Sequence, residues 1–382
     1  MTTDELSLLE LLWPFALTPE DRDLLQACLL DAKLGRRAWT RYLASSADIS
    51  TALRADHAVR ELLPLLYQTR MRAGCDLGSA APVLRASAVT EQLRWAEYRK
   101  ICRTVLQSLI DANVPFIVGP GAALGEIVYP DPVLRHAHVI PLFVQAADRA
   151  RAARALTAWD ELQSRDGAPD ERAPLGLRHV SGLPVTLHRG PDWLPLFPLP
   201  TSLLWARSEP AVIAGVPVRV LDPALALVSI CGEQVSRGQR RLQWAADAWH
   251  LILRRHDLDW QVFVDVARKA RLALPLLVQC SALASGLDLR IPGGVFDALR
   301  DAARDRPTRE AALYAALRAA GGARALMRQT PSWRGRWMLL VSLAFPSAAT
   351  LDALEPDRPA MPLAAYYALR ALRYATTRGR TR

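Results

Sequence analysis

The sequence predicts an α+β fold in which a mixed sheet is flanked by an N-terminal and a C-terminal helical region, and three observations carry this. Apolar residues recur at three- and four-residue spacing from Leu6 to about Ile110, short β-rich runs broken by turns fill Val114 to Val220, and helical spacing returns from Asp222 onward. Domain boundaries are therefore expected at 1–110, 111–221 and 222–382. A chain of 382 residues, 51% of them apolar, is long enough for two or three structural units of roughly 100–200 residues.

Each element has a local cause. Thr18 before Pro19-Glu20-Asp21 supplies a hydroxyl N-cap, a proline at the first helical position and acids in the first turn, so a helix starts there. Leu63-Pro64-Leu65-Leu66-Tyr67 interrupts the helical spacing and predicts a junction between helices, packed into the core. Val114 to Val118 reads as a buried strand, Gly121 to Val128 as a short helix, Val139 to Val144 as a second strand and Asp148 to Trp159 as an amphipathic helix. Leu183 to Leu187 and Val216 to Val220 are further strands. Asp222-Pro223 is another cap followed by proline; Leu242, Ala245, Ala246, Trp249, Ile252 and Leu253 form one apolar helix face, and Asp259-Trp260 opens the next helix.

The net charge of +10 comes almost entirely from arginine and gives a loose attraction to anions. Five cysteines (Cys28, Cys75, Cys102, Cys231 and Cys280) are odd in number, far apart and lack a CxxC pair, so neither a disulfide framework nor a cysteine zinc site is expected. The N-terminus has no basic run ahead of its first apolar stretch, and the apolar run Trp337 to Thr350 is shorter than the ~20 residues of a spanning helix. A cytoplasmic protein without a membrane partner is expected.

Residues 113–144 carry the most specific signal. They contain Gly121-Ala122-Ala123-Leu124, then Tyr129-Pro130-Asp131-Pro132, then Leu134-Arg135, then Leu142-Phe143-Val144 on the second strand. This segment resembles the bacterial family of uncharacterised nucleotidyltransferases, within the minimal, polymerase-beta-like nucleotidyltransferase superfamily. Beyond it, Leu63 to Tyr67, Gly215 to Pro223, Trp244 to Asp247 and Asp259-Trp260 are similar to the family's outlying motifs. The resemblance implies a nucleotidyltransferase-like mixed sheet at 111–221. It also implies a site in which an Asp-x-Asp on the second strand and a third carboxylate on a neighbouring strand hold magnesium ions. Alternate residues of a strand share a face, which is why an Asp-x-Asp can converge on one metal pair.

Here the positions implied by the resemblance depart from the pattern. The two aspartates fall on Val139 and Pro141, the third carboxylate on Thr186 and the lysine of the glycine turn on Pro120. Valine and proline offer a cation no side-chain oxygen and threonine only a neutral hydroxyl, whereas magnesium requires hard oxygen ligands. A degenerate member without catalytic residues or a cofactor is therefore expected. Glu126 and Asp131 are near in sequence, but one falls on the helix and the other in the loop after it.

A remnant pocket would consist of Gly119, Gly121, Arg135, His188 and Arg189. Backbone N–H groups at Gly119 and Gly121 could meet a phosphate at the helix start, although Pro120 removes one donor and a plain tight turn is the simpler reading. Arg135 and Arg189 could add charge, although surface arginines are common, and His188 is more simply a half-buried histidine. His136 and His138 alternate just before the second strand and suit a softer metal such as zinc, but two histidines without a third ligand make a weak site. Trp333 and Trp337 alternate with Arg334 and Arg336, an interleaving that can hold single-stranded nucleic acid, but core packing is the plainer role for most of the eleven tryptophans. The tail arginines Arg370, Arg373, Arg378, Arg380 and Arg382 could meet an acidic partner or nucleic acid.

Three functions are compatible with these residues. The first is a non-catalytic binding, scaffold or regulatory protein with a protein or peptide partner. The second is an active nucleotidyltransferase with unorthodox metal ligands, transferring a nucleoside monophosphate to a small molecule or protein. The third is a basic nucleic-acid-binding module. The loss of the acids favours the first.

Overall fold

The computed structural model describes residues 3–45, 48–164, 174–191, 193–238, 240–359 and 361–369. The arginine-studded end from Arg370 lies outside the described residues. Seven strands form one mixed sheet: β1 (Phe116–Val118), β2 (Ile140–Val144), β3 (Leu162–Ser164), β4 (Leu175–His179), β5 (Pro184–His188), β6 (Ser208–Ile213) and β7 (Val216–Leu221), in the order β3-β4-β5-β2-β1-β7-β6. β2 runs antiparallel to β1 and parallel to β5, while β1 runs parallel to β7.

A 31-residue helix, Ala81–Asp111, feeds the sheet. It ends where Asn113 takes a left-handed conformation (φ 53°) and the Val114 N–H donates to the Leu109 carbonyl at 2.9 Å, a helix stop that asparagine tolerates better than most residues. The predicted strand from Val114 therefore begins at Phe116. Gly119 is the N-cap of the helix Pro120–Val128, which fills the crossover between β1 and β2. Ala214 and Gly215, both at positive φ, make the tight turn that pairs Ile213 with Val216 and joins β6 to β7.

The helix starts follow their predicted caps. The Thr18 hydroxyl accepts from the Asp21 N–H at 3.1 Å while the Asp21 carboxylate accepts from the Thr18 N–H at 3.0 Å. Asp222 caps Pro223–Arg237 through the Leu225 N–H, and Asp259 caps Trp260–Lys269 through the Val262 N–H. Leu63–Arg72 is a helix that takes Pro64 in its first turn, with Leu63, Leu65 and Leu66 buried.

Two cores result. One lies on the sheet and includes Ile101, Val105, Leu109, Val118, Leu142, Val144, Val185 and Val220. The other is continuous between the N-terminal helices (Leu24, Leu62, Leu66) and the C-terminal ones (Leu227, Leu251, Phe263, Leu276). The helical regions at the two ends of the sequence thus bury one another, and Ile117, Phe143 and Leu221 of the sheet join that core.

All five cysteines are unpaired. Among the described residues no single helix is long and apolar enough to cross a membrane. Trp333 and Trp337, for which core packing is the plainer expectation, are instead 72% and 61% exposed, because the helix Trp333–Ala344 buries only Gly335 and Leu339.

Candidate functional site

Of the positions singled out in the sequence, Gly119, Pro120, Gly121, Val139, Pro141 and Thr186 gather where β1 ends and β2 begins beside β5, whereas His188 and Arg189 lie at the far end of β5. Pro141 and Thr186 are register partners on the parallel strands β2 and β5, and Val139 immediately precedes β2. Val139, Pro120 and Gly121 line a cavity of about 90 Å³. Pro141 packs on the glycine turn so closely that a Cβ added at Gly119 would lie 3.0 Å from its Cγ, and one at Gly121 3.4 Å from it. The proline ring occupies the space in front of the turn.

One of the turn's two candidate donors is engaged. The Gly119 N–H donates to the Pro141 carbonyl at 2.8 Å, and Pro120 has no N–H to offer. The Thr186 hydroxyl is buried without a hydrogen-bond partner and remains neutral. These residues do not fit a magnesium pair: none presents a carboxylate, and the only side-chain oxygen among Val139, Pro141 and Thr186 is that hydroxyl.

Arg135 is neither a surface residue nor free to serve an anion. It is buried, and its guanidinium donates to both oxygens of Asp247, from Nε at 2.9 Å and from Nη2 at 2.8 Å, and from Nη1 to the Gly121 carbonyl. Burial opposes its charge, but Asp247 outweighs that and holds its pKa above the ordinary value. The Tyr129 hydroxyl donates to Asp247 at 2.7 Å, and Gln243 donates to both Tyr129 (2.8 Å) and Asp247 (3.0 Å). The network joins the central motif to the helix Gln243–Arg254. Glu126 and Asp131 serve the backbone, accepting from the N–H groups of Ala214 and Val133. His188 is half-buried, tilted against Phe143 at 6.2 Å, and Arg189 is exposed.

His250 lies against this network, its ring 4.1 Å from that of Tyr129. Burial lowers its pKa to about 4, Asp247 acting in the opposite sense, and its Nε2 has no hydrogen-bond partner. An imidazole held neutral in this way contributes its full stabilisation above the unfolded value of 6.5. That contribution is lost as pH falls toward 4, and amounts to about 3 kcal/mol over this window. Denaturant unfolding at pH 7 and pH 4.5 is expected to show a smaller acid loss for His250→Gln than for the parent, and equal losses would show that the imidazole titrates normally in the folded protein.

Beside the closed turn opens a cleft of about 980 Å³. Arg54, Arg60, Arg94, Arg237, Arg240 and Arg241 line it, with His136 and His138. Several of these cations are held by carboxylates: Arg94 by Glu91, Arg237 by Glu233, Arg241 by Glu61, and Arg240 by Asp21 and by Asp56 at 2.6 Å. Burial first, then Arg241, His136 and Arg237, push the His138 imidazole well below its ordinary value. Glu91 is held low, against its burial, by the hydrogen bonds from His136 and Arg94. None of these arginines was among the candidates read from the sequence; the basic run Arg240-Arg241 just beyond Gly238 was the available signal.

The glycine turn between β1 and its helix, the antiparallel β2 and the parallel β5 beside it form the centre of an α+β fold with flanking helical regions. The chain belongs to the uncharacterised nucleotidyltransferase family, which it matches over residues 45–318. Neither a curated protein nor a solved structure matches it.

Proposed function

We propose that this chain is a non-catalytic member of its family, a binding, scaffold or regulatory protein that engages a partner through the arginine-lined cleft. The observation that carries this reading is Pro141: in register with Thr186, it falls at a position for which the resemblance implies a metal ligand, and its ring packs against the glycine turn. With no carboxylate at Val139, Pro141 or Thr186, a triphosphate has no ion to neutralise it there, and the Gly119 N–H is already engaged. The cleft supports an anionic ligand class, such as an acidic segment of a partner protein, because guanidinium groups from several elements face it.

Calorimetric titration with magnesium and ATP, CTP, GTP or UTP tests the reading. The expected result is no magnesium-dependent heat up to millimolar nucleotide. Tight binding that requires magnesium would restore the enzymatic reading.

A further inference from the structure

We propose that Glu61, His136 and His138 form a zinc-class metal site at the mouth of the cleft, with an open coordination position facing into it. One ligand atom from each of the three lies within 4.8 Å of the others, and all three line the cleft. The two histidines come from the run just before β2 and stack with ring centroids 5.6 Å apart. Glu61 comes from the N-terminal helical region, just after the helix His57–Arg60, so the fold supplies the third ligand that the histidine pair lacks in sequence.

A second observation points the same way. His136 Nδ1 lies 2.8 Å from Glu91 Oε2. A carboxylate that accepts from one ring nitrogen fixes the ring and leaves the other nitrogen's lone pair for a metal, the arrangement found behind most metal-bound histidines. Here Nε2 of His136 would be the donor.

The donors select the metal. Two imidazoles and one carboxylate suit zinc and its neighbours, whereas magnesium takes oxygen ligands. Tetrahedral zinc at about 2.0–2.1 Å from each donor sets the donors roughly 3.4 Å apart, so ligand atoms lying within 4.8 Å of one another must close by up to about 1.4 Å. The His138 side chain can make that movement, being 46% exposed with its Nδ1 3.9 Å from Glu61 Oε1. Arg241 holds Glu61 through Oε1, and Oε2 can turn to the metal. Arg94, Arg237 and Arg241 beside the cluster are each paired with a carboxylate, Glu91, Glu233 and Glu61, which offsets part of their charge. Three protein ligands leave the fourth position of zinc open, as in sites that bind a further ligand.

This site uses none of the family's carboxylate positions and requires neither a nucleotide nor a protein partner, so its failure would leave the proposed binding function untouched. The test uses the full chain, stripped with chelator, titrated with zinc by calorimetry and with cobalt by visible absorption. The expected result is one equivalent of zinc, cobalt d–d bands of a low-coordinate site, and no competition from magnesium. His138→Ala should abolish the cobalt bands, and Glu91→Gln, which leaves all three ligands in place, should weaken zinc by about 10- to 100-fold. The absence of saturable zinc binding, or one-equivalent binding unchanged in both variants, would overturn the site.

Discussion

Replacing Asp247 with alanine is expected to lower the unfolding free energy by about 3–5 kcal/mol, because the substitution strands a buried guanidinium. Arg135 and Asp247 are 8% and 4% exposed at their side chains, and Asp247 also accepts from Tyr129 and Gln243, so one deletion takes the shared acceptor from three residues. The loss acts at the junction between the central motif and the C-terminal helices. Urea denaturation measures the effect, with Asp265→Ala as the control. Asp265 faces Arg268 at 3.9 Å in an exposed pair, and its removal should stay within about 0.5 kcal/mol. An Asp247 effect as small as the control's would mean that Arg135 does not depend on it and is available to a ligand.

What the sequence revealed was local. Gly119 to Val128 could be read because a glycine turn, an apolar helix and a strand on either side follow one another without a gap, and Thr18, Asp222 and Asp259 announce their helices by capping chemistry. The resemblance implied that the strand of Pro141 and the one bearing Thr186, read as Leu183 to Leu187, are neighbours, and the two residues are register partners. β6 escaped because Ser208-Glu209-Pro210 lacks an apolar alternation and the strand depends on β7 for its pairing. Arg135 was legible as a motif residue, but its role was not, since Asp247 lies 112 positions away and a long-range ion pair leaves no periodic trace. The same holds for Glu61 beside His136 and His138, and for the shared core of the two helical regions: each arises only when distant segments meet.

The central claim is that Val139, Pro141 and Thr186 occupy a metal site from which the ligands have been removed, and returning the ligands tests it most directly. A variant carrying Val139→Asp, Pro141→Asp, Thr186→Asp and Pro120→Lys places three carboxylates just before and on the adjacent strands β2 and β5 and a cation on the turn. Aspartate at position 141 also removes the ring that packs on Gly119 and Gly121. Without metal the carboxylates repel one another, so the variant should melt below the parent. Magnesium at 100 times its dissociation constant should then restore about 2.7 kcal/mol, because a ligand that binds only the folded state stabilises it by mass action. Turnover is not required, since placing ligands is local while catalysis needs a substrate aligned to about half an ångström. The measurement is the melting temperature of parent and variant against magnesium: the account predicts a rise of several degrees in the variant and none in the parent, and a folded variant whose melting ignores magnesium into the millimolar range would contradict it.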